Sequence, residues 1–73
     1  MGNTKFRMAD LRNMVGLSQR EWGLILGISE ATIQKRETDP KESQKWRLAQ
    51  VIKGLEFVNK QRGMSITVND ITV

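Results

Sequence analysis

The chain of 73 residues contains no cysteine and no histidine. The first absence excludes disulfides, and together the two exclude the usual zinc sites and imidazole-based catalysis. No apolar run approaches the roughly 20 residues of a membrane span, and the first residues lack the apolar region of a signal peptide. We therefore expect a soluble, cytoplasmic protein that needs no cofactor, binds no metal and is not an enzyme.

Basic residues exceed acidic ones, with twelve Lys and Arg against eight Asp and Glu, a net charge of +4 and a pI near 10.0. A basic protein suits an acidic partner such as nucleic acid, although a mildly basic soluble protein without such a partner has the same balance. Residues 24–39 are the exception, because two basic residues there face three acidic ones. Phosphate contacts, which supply most non-specific DNA affinity, would therefore have to come from the flanks of this segment.

Residues 16–37 contain two short amphipathic runs, each opened by a serine, with a glycine between them. Ser18 and Ser29 are good N-cap residues, and Gly27 suits a helix end that requires a left-handed backbone. Two helices of about two turns joined by a tight turn form a helix-turn-helix. The pattern fits DNA recognition, with residues 29–37 as the helix in the major groove. It fits an ordinary helical hairpin equally well.

The segment from residue 11 to residue 37 resembles the lambda-repressor-like, Cro-type helix-turn-helix domains of phage and bacterial regulators. The matching residues are Leu11-Arg12, Gly16-Leu17-Ser18-Gln19, Glu21, Leu26-Gly27, Ser29, Thr32-Ile33 and Glu37. The resemblance implies an all-α, compact bundle of four or five helices that contains a helix-turn-helix and works in the bacterial host cell. It also implies a double-stranded DNA operator as partner and a homodimer as the working unit.

Periodicity extends the helical prediction over residues 1–62, which we assign to the helix-turn-helix domain. A first helix is expected over about 5–15, capped by Asn3 or Thr4, and a second over 19–26. Pro40 restricts Asp39 to extended geometry, so the third helix must end near Thr38. Ser43 is expected to cap a long fourth helix, in which Gly54 marks close packing or a bend. The apolar face of this helix comprises Leu48, Val51, Ile52, Leu55 and Val58.

Residues 63–73 have a different composition. The alternating, β-branched run at 64–68 predicts a single strand, and residues 69–70 predict a turn before a short extended end. A lone strand cannot satisfy its own backbone. We expect this C-terminal strand either to pair or dock in a dimer or to remain a flexible tail.

Roles in DNA binding follow from the register of the resemblance. It implies that Gln19 bridges a phosphate and the start of the recognition helix, and that Ser29 approaches phosphate. Helix geometry and side-chain chemistry add base-reading candidates and phosphate partners from the flanks; the full DNA-binding set is Gln19, Arg20, Ser29, Glu30, Ala31, Thr32, Lys35, Lys41 and Lys45. Alternatively, Glu30 only complements the helix dipole, and the lysines are solvated surface.

Arg12 and Glu37 match a pair that, in the family it resembles, bridges the first and third helices. The resemblance implies a structural clamp that holds the recognition helix and does not read bases.

Three positions depart from the family pattern. Leu24 and Ile25 stand where the family is usually polar and exposed, and Arg36 stands where an apolar or aromatic residue usually packs. An exposed apolar patch suggests a protein partner, unless the fourth helix or a second subunit covers it. Two hypotheses therefore follow: a DNA-binding transcription regulator, or an antirepressor or modulator of repression that binds a partner repressor protein. Antitoxins of this fold are a related option.

Overall fold

The computed structural model describes residues 6–73, and this part of the chain contains five α-helices and no strand. They are α1 (Met8–Met14), α2 (Gln19–Leu26), α3 (Glu30–Thr38), α4 (Leu48–Arg62) and α5 (Val68–Ile71), with a 3₁₀ turn over Glu42–Lys45 between α3 and α4. This confirms the all-α bundle. Among these described residues, no helix is both long enough and apolar enough to cross a membrane.

A single hydrophobic core lies between the helices. Its buried members are Met8, Leu11, Trp22, Leu26, Ile33, Trp46, Val51, Leu55, Val58 and Ile71. Helix α1 contributes Met8 and Leu11, α2 contributes Trp22 and Leu26, and α3 contributes Ile33, whereas Val15 after α1 is only half-buried. Two positions of the predicted α4 face are not core, because Leu48 is 55% exposed and Ile52 is 42% exposed. The sequence prediction also missed Trp46, which closes the core beside α3.

Gly54 marks close packing. A Cβ at this position would lie 3.0 Å from the Trp22 ring and 3.1 Å from the Met8 methyl group. Trp22 is fully buried, so α4 reaches its ring only because residue 54 has no side chain. A second glycine, Gly23, faces backbone, since a Cβ there would collide with the carbonyl oxygen of Ile28.

Two predicted helix starts are wrong. Helix α1 begins at Met8, three residues later than predicted, because the Arg7 amide donates to the Ile71 carbonyl at 2.8 Å and Phe6 forms an antiparallel bridge with Thr72. The caps expected at residues 3 and 4 lie outside the described residues. Helix α4 begins at Leu48, because residue 43 belongs to the 3₁₀ turn, where its hydroxyl donates to the carbonyl of Pro40. The end of α3 at Thr38 is as predicted.

The strand predicted at 64–68 does not form. Residues 64–67 have no regular structure, and the next four residues form α5. The Asn59 side chain holds Ile66 through two hydrogen bonds, donating to its carbonyl at 2.9 Å and accepting from its amide at 2.8 Å. The Asp70 carboxylate accepts from the Thr67 amide, and Ile71 is buried. The segment therefore docks on the bundle as a helix instead of pairing as a strand.

Candidate nucleic-acid interface

Local hydrogen bonds build the helix-turn-helix. The Ser18 hydroxyl accepts from the Glu21 amide at 3.1 Å, and the Glu21 carboxylate accepts from the Ser18 amide at 2.9 Å. Hydrogen bonding from Ser18, chiefly from its backbone amide and secondarily from its side chain, holds the pKa of Glu21 below its usual value against a smaller opposing effect of burial. Gly27 ends α2 with φ 73°, in the left-handed region. Three residues, 27–29, separate Leu26 from the start of α3 at Glu30, so the turn is as tight as the sequence predicted.

Ser29 and Thr32 serve the start of α3. The Ser29 hydroxyl accepts from the Thr32 amide at 3.2 Å and shares a 2.8 Å hydrogen bond with the Thr32 hydroxyl. Thr32, which the sequence assigned to the groove-facing surface, is half-buried, and its hydroxyl is committed to the cap. Ser29 is exposed and caps α3. The resemblance had placed the same residue close to a DNA phosphate.

The predicted clamp is present as a two-point ion pair. Arg12 Nε donates to Glu37 Oε2 at 2.8 Å and its Nη2 donates to Oε1 at 2.9 Å, while the side chains are only 17% and 7% exposed. Arg12 Nη1 also donates to the Leu17 carbonyl at 2.7 Å. One guanidinium thus ties α1, the loop before α2, and α3 together.

Gln19 belongs to the same network. Its amide nitrogen donates to Glu37 Oε1 at 3.0 Å. The sequence placed this side chain between phosphate and the start of the recognition helix, but it contacts the last turn of α3. Its predicted link to α3 therefore forms at the opposite end of the helix.

One face of α3 is exposed along its whole length. It consists of Glu30, Ala31, Gln34, Lys35 and Thr38. Because successive helical residues turn by 100°, these five side chains span an arc of about 140°. The opposite side carries Ile33, which is fully buried. We call this surface the α3 arc.

Two members of the α3 arc, Gln34 and Thr38, were not predicted from the sequence. The helical period alone could have found them, because both lie between the predicted readers on a helical wheel. The hydroxyl of Thr38 donates to the Gln34 carbonyl at 2.8 Å.

Arg36 does not form part of an open patch. Its guanidinium carbon lies 5.0 Å from the centre of the Trp46 ring, and Nη1 donates to Gln50 Oε1 at 2.9 Å. Burial lowers the pKa of Arg36, an effect that the carboxylate of Glu42 opposes and the charge of Arg47 reinforces. A cation over an aromatic face is a stabilising contact, so Arg36 packs where an apolar residue was expected.

The other two residues of the predicted protein-partner patch, Leu24 and Ile25, differ in how far they are exposed. Leu24 is 77% exposed, whereas Ile25 is half-buried and packs against the core. The core of the bundle therefore covers one of the two side chains. Of these two residues, Leu24 is the one that presents an apolar side chain to solvent.

The predicted phosphate partners are all exposed, but they differ in whether they form an ion pair. Arg20 and Lys41 are exposed. Lys45 is also exposed, but its ammonium lies 2.8 Å from the carboxylate of Glu42. Arg47, which was not among the predicted phosphate partners, is a further exposed cation just before α4.

Across residues 6–73, no group of three Asp, Glu, Cys or His side chains could hold a metal ion, and no pocket is found. The structure therefore offers surfaces instead of cavities. The chain matches no protein-family model, no curated protein and no solved structure.

Proposed function

We propose that this protein is a sequence-specific DNA-binding transcription regulator that inserts α3 into the major groove of an operator. The observation that carries the proposal is the α3 arc: five exposed side chains lie on one face of a helix whose other face is fixed. An α-helix fits the major groove of B-DNA, where side chains of its first turns meet base edges.

The contacts that hold α3 in place favour a role in DNA recognition. Ser29 caps its first turn, Ile33 anchors its middle, and Arg12 and Gln19 hold Glu37 in its last turn. A helix held at three levels loses little conformational entropy when it docks, so more of the contact energy remains as affinity.

The exposed charged side chains suit different parts of a DNA duplex. Lys35 is exposed on the α3 arc and suits guanine, while Glu30 can accept from cytosine N4. Arg20 is exposed on α2 and Lys41 is exposed just after α3, and both suit phosphates. We also propose that the protein acts as a dimer on two half-sites about one helical turn apart, as helix-turn-helix regulators of this docking geometry do.

Fluorescence anisotropy with duplex DNA tests the proposal. Sites enriched from a random duplex pool should bind the protein, and Lys35→Ala should weaken binding to the enriched site by about 1–3 kcal/mol and relax preference at one base pair. Lys60→Ala, which removes an exposed lysine of α4, is the matched control. Failure to bind any duplex at low salt would reject the proposal.

A second candidate follows from the 77% exposure of Leu24. In that alternative, the protein is an antirepressor or modulator that docks on a partner repressor through α2. Leu24→Glu should then leave the circular dichroism spectrum unchanged and abolish the effect of the protein on a gel shift by the repressor of a neighbouring gene. Ile25 is unsuitable for this test because its substitution would disturb the core.

A further inference from the structure

The side-chain amide of Gln34 is exposed on α3 and has no hydrogen-bond partner among residues 6–73. Two other glutamines of the bundle are committed. Gln19 donates to Glu37, and the Gln50 oxygen accepts from both Arg36 and the Arg47 amide. Gln34 therefore offers a free donor and a free acceptor on a helix that the bundle holds in place.

Gln34 also occupies a central position. On the α3 arc it lies about 40° round the helix from Glu30 and about 60° from Ala31. Thr38 is the other residue with a polar side chain near the middle of the arc, and its hydroxyl donates its proton to the Gln34 carbonyl. Of the polar groups near the middle of the arc, the Gln34 amide is the one with both a donor and an acceptor available.

We propose that Gln34 is a specificity-determining residue that reads an adenine in the major groove; the inference rests on the proposed function. A glutamine amide fits adenine in two places, since its oxygen accepts from N6 and its nitrogen donates to N7. No other base presents that donor–acceptor order in the major groove. A phosphate would use only the donor half of the amide, and an uncharged side chain releases no counterion there.

The test compares three proteins: the wild-type chain, Gln34→Ala, and the control Gln61→Ala, which removes an exposed glutamine from α4. Each is used to select sites from a randomised duplex library, and the affinities for the wild-type site and for its single-base-pair variants are then measured by anisotropy. Thermal melting followed by circular dichroism checks that all three fold, which an exposed Gln→Ala change in a helix should permit.

Wild-type protein should enrich a site that contains an invariant A·T pair which Gln34→Ala no longer selects. Gln34→Ala should bind the wild-type site about 5- to 150-fold more weakly. It should also bind that site and the variant altered at the A·T pair equally well. Gln61→Ala should behave as wild type.

Three results would overturn the inference while leaving the proposed function intact. An equal loss of affinity on every sequence would place Gln34 at a phosphate, no loss would leave it outside the contact, and a changed preference at a G·C pair would exclude adenine. If the wild-type protein enriches no sequence at all, the proposed function itself fails.

Discussion

At the scale of single residues, Glu37 carries more structural connections than its neighbours on α3. Its two carboxylate oxygens accept three hydrogen bonds, two from Arg12 and one from Gln19, and its side chain is 7% exposed. Removing one partner of a buried ion pair is costly, because it leaves the other charge desolvated and unpaired.

Glu37→Gln should therefore destabilise the protein by about 3 kcal/mol, at the lower end of the range for buried pairs because Arg12 keeps some contact with water. For a domain of this size that corresponds to a fall in Tm of roughly 12 °C or more. Calorimetry would measure it, with Glu56→Gln on the exposed face of α4 as the control. If Glu37→Gln and Glu56→Gln had the same Tm, Glu37 would not be a clamp.

Glu21 should make stability depend on pH. Its pKa in the folded protein is lowered by the hydrogen bonds from Ser18, so its charge stabilises the fold above the ordinary value of 4.5. That contribution is lost as the pH falls through the lowered pKa. Glu21→Gln keeps the hydrogen bond to the helix cap but removes the charge. In urea unfolding, wild type should be more stable than the variant at pH 7, and the difference should vanish in acid. A constant difference would contradict this.

At the scale of elements, the sequence predicted best where the signals are local. The start of α2 and α3 follows from Ser18 and Ser29, and the end of α3 follows from Pro40; all three agree with the structure. The start of α4 was wrong because burial of Trp46, a tertiary effect, separates it from the 3₁₀ turn. The strand at 64–68 was wrong because contacts from Asn59 override β-propensity.

At the candidate site, too, some features could be predicted from the sequence and others could not. The Arg12–Glu37 pair could be inferred from resemblance, and its geometry agrees with that inference. The exposed arc of α3 required only the helical period, yet the motif drew attention to Thr32 instead of Gln34. Packing of Arg36 on Trp46 could not be inferred, because it joins residues from two elements whose separation the sequence does not specify.

Two glycines set how closely the elements approach, and alanine at each should act differently. At Gly54 the new methyl group would press on Trp22 and on the movable end of Met8. At Gly23 it would press on the Ile28 backbone, which belongs to the turn before α3. Overpacking costs about 1–3 kcal/mol, partly offset in a helix by the better propensity of alanine.

We therefore expect both variants to unfold at lower urea concentration than wild type, with Gly23→Ala the less stable of the two. Only Gly23→Ala should also weaken DNA binding at temperatures where both are folded, because it displaces α3. Equal stabilities would mean that the turn accommodates the methyl group.

At the scale of the whole molecule, the net positive charge of the chain comes from outside the segment 24–39, which contains α3. Residues 24–39 carry a net charge of −1 within a chain of +4. In the proposed DNA-binding function, non-specific attraction must then come from the flanks of this segment, and each phosphate neutralised adds about one unit to the dependence of log affinity on log salt.

Lys41→Ala should lower that salt slope by about one unit and weaken binding to all sequences alike. Lys45→Ala should lower it by less, because Glu42 already neutralises part of its charge. Anisotropy titrations over a range of salt concentrations would give both slopes, with Lys60→Ala as the control. A slope unchanged in Lys41→Ala would remove that lysine from the DNA contact.

The antiparallel bridge between Phe6 and Thr72 makes the described chain nearly a ring. Residues 66 positions apart lie side by side, and the Arg7 amide donates to the Ile71 carbonyl at 2.8 Å. In a chain that starts at residue 6, a peptide bond from residue 73 to residue 6 would turn this near-ring into a true cycle. Cyclisation would deprive the unfolded chain of entropy worth about 4 kcal/mol for a loop of this length. Because residues 6 and 72 lie side by side, the backbone of that cycle can also be reopened elsewhere, for instance at the Gly63 turn, giving a permuted order of the same helices.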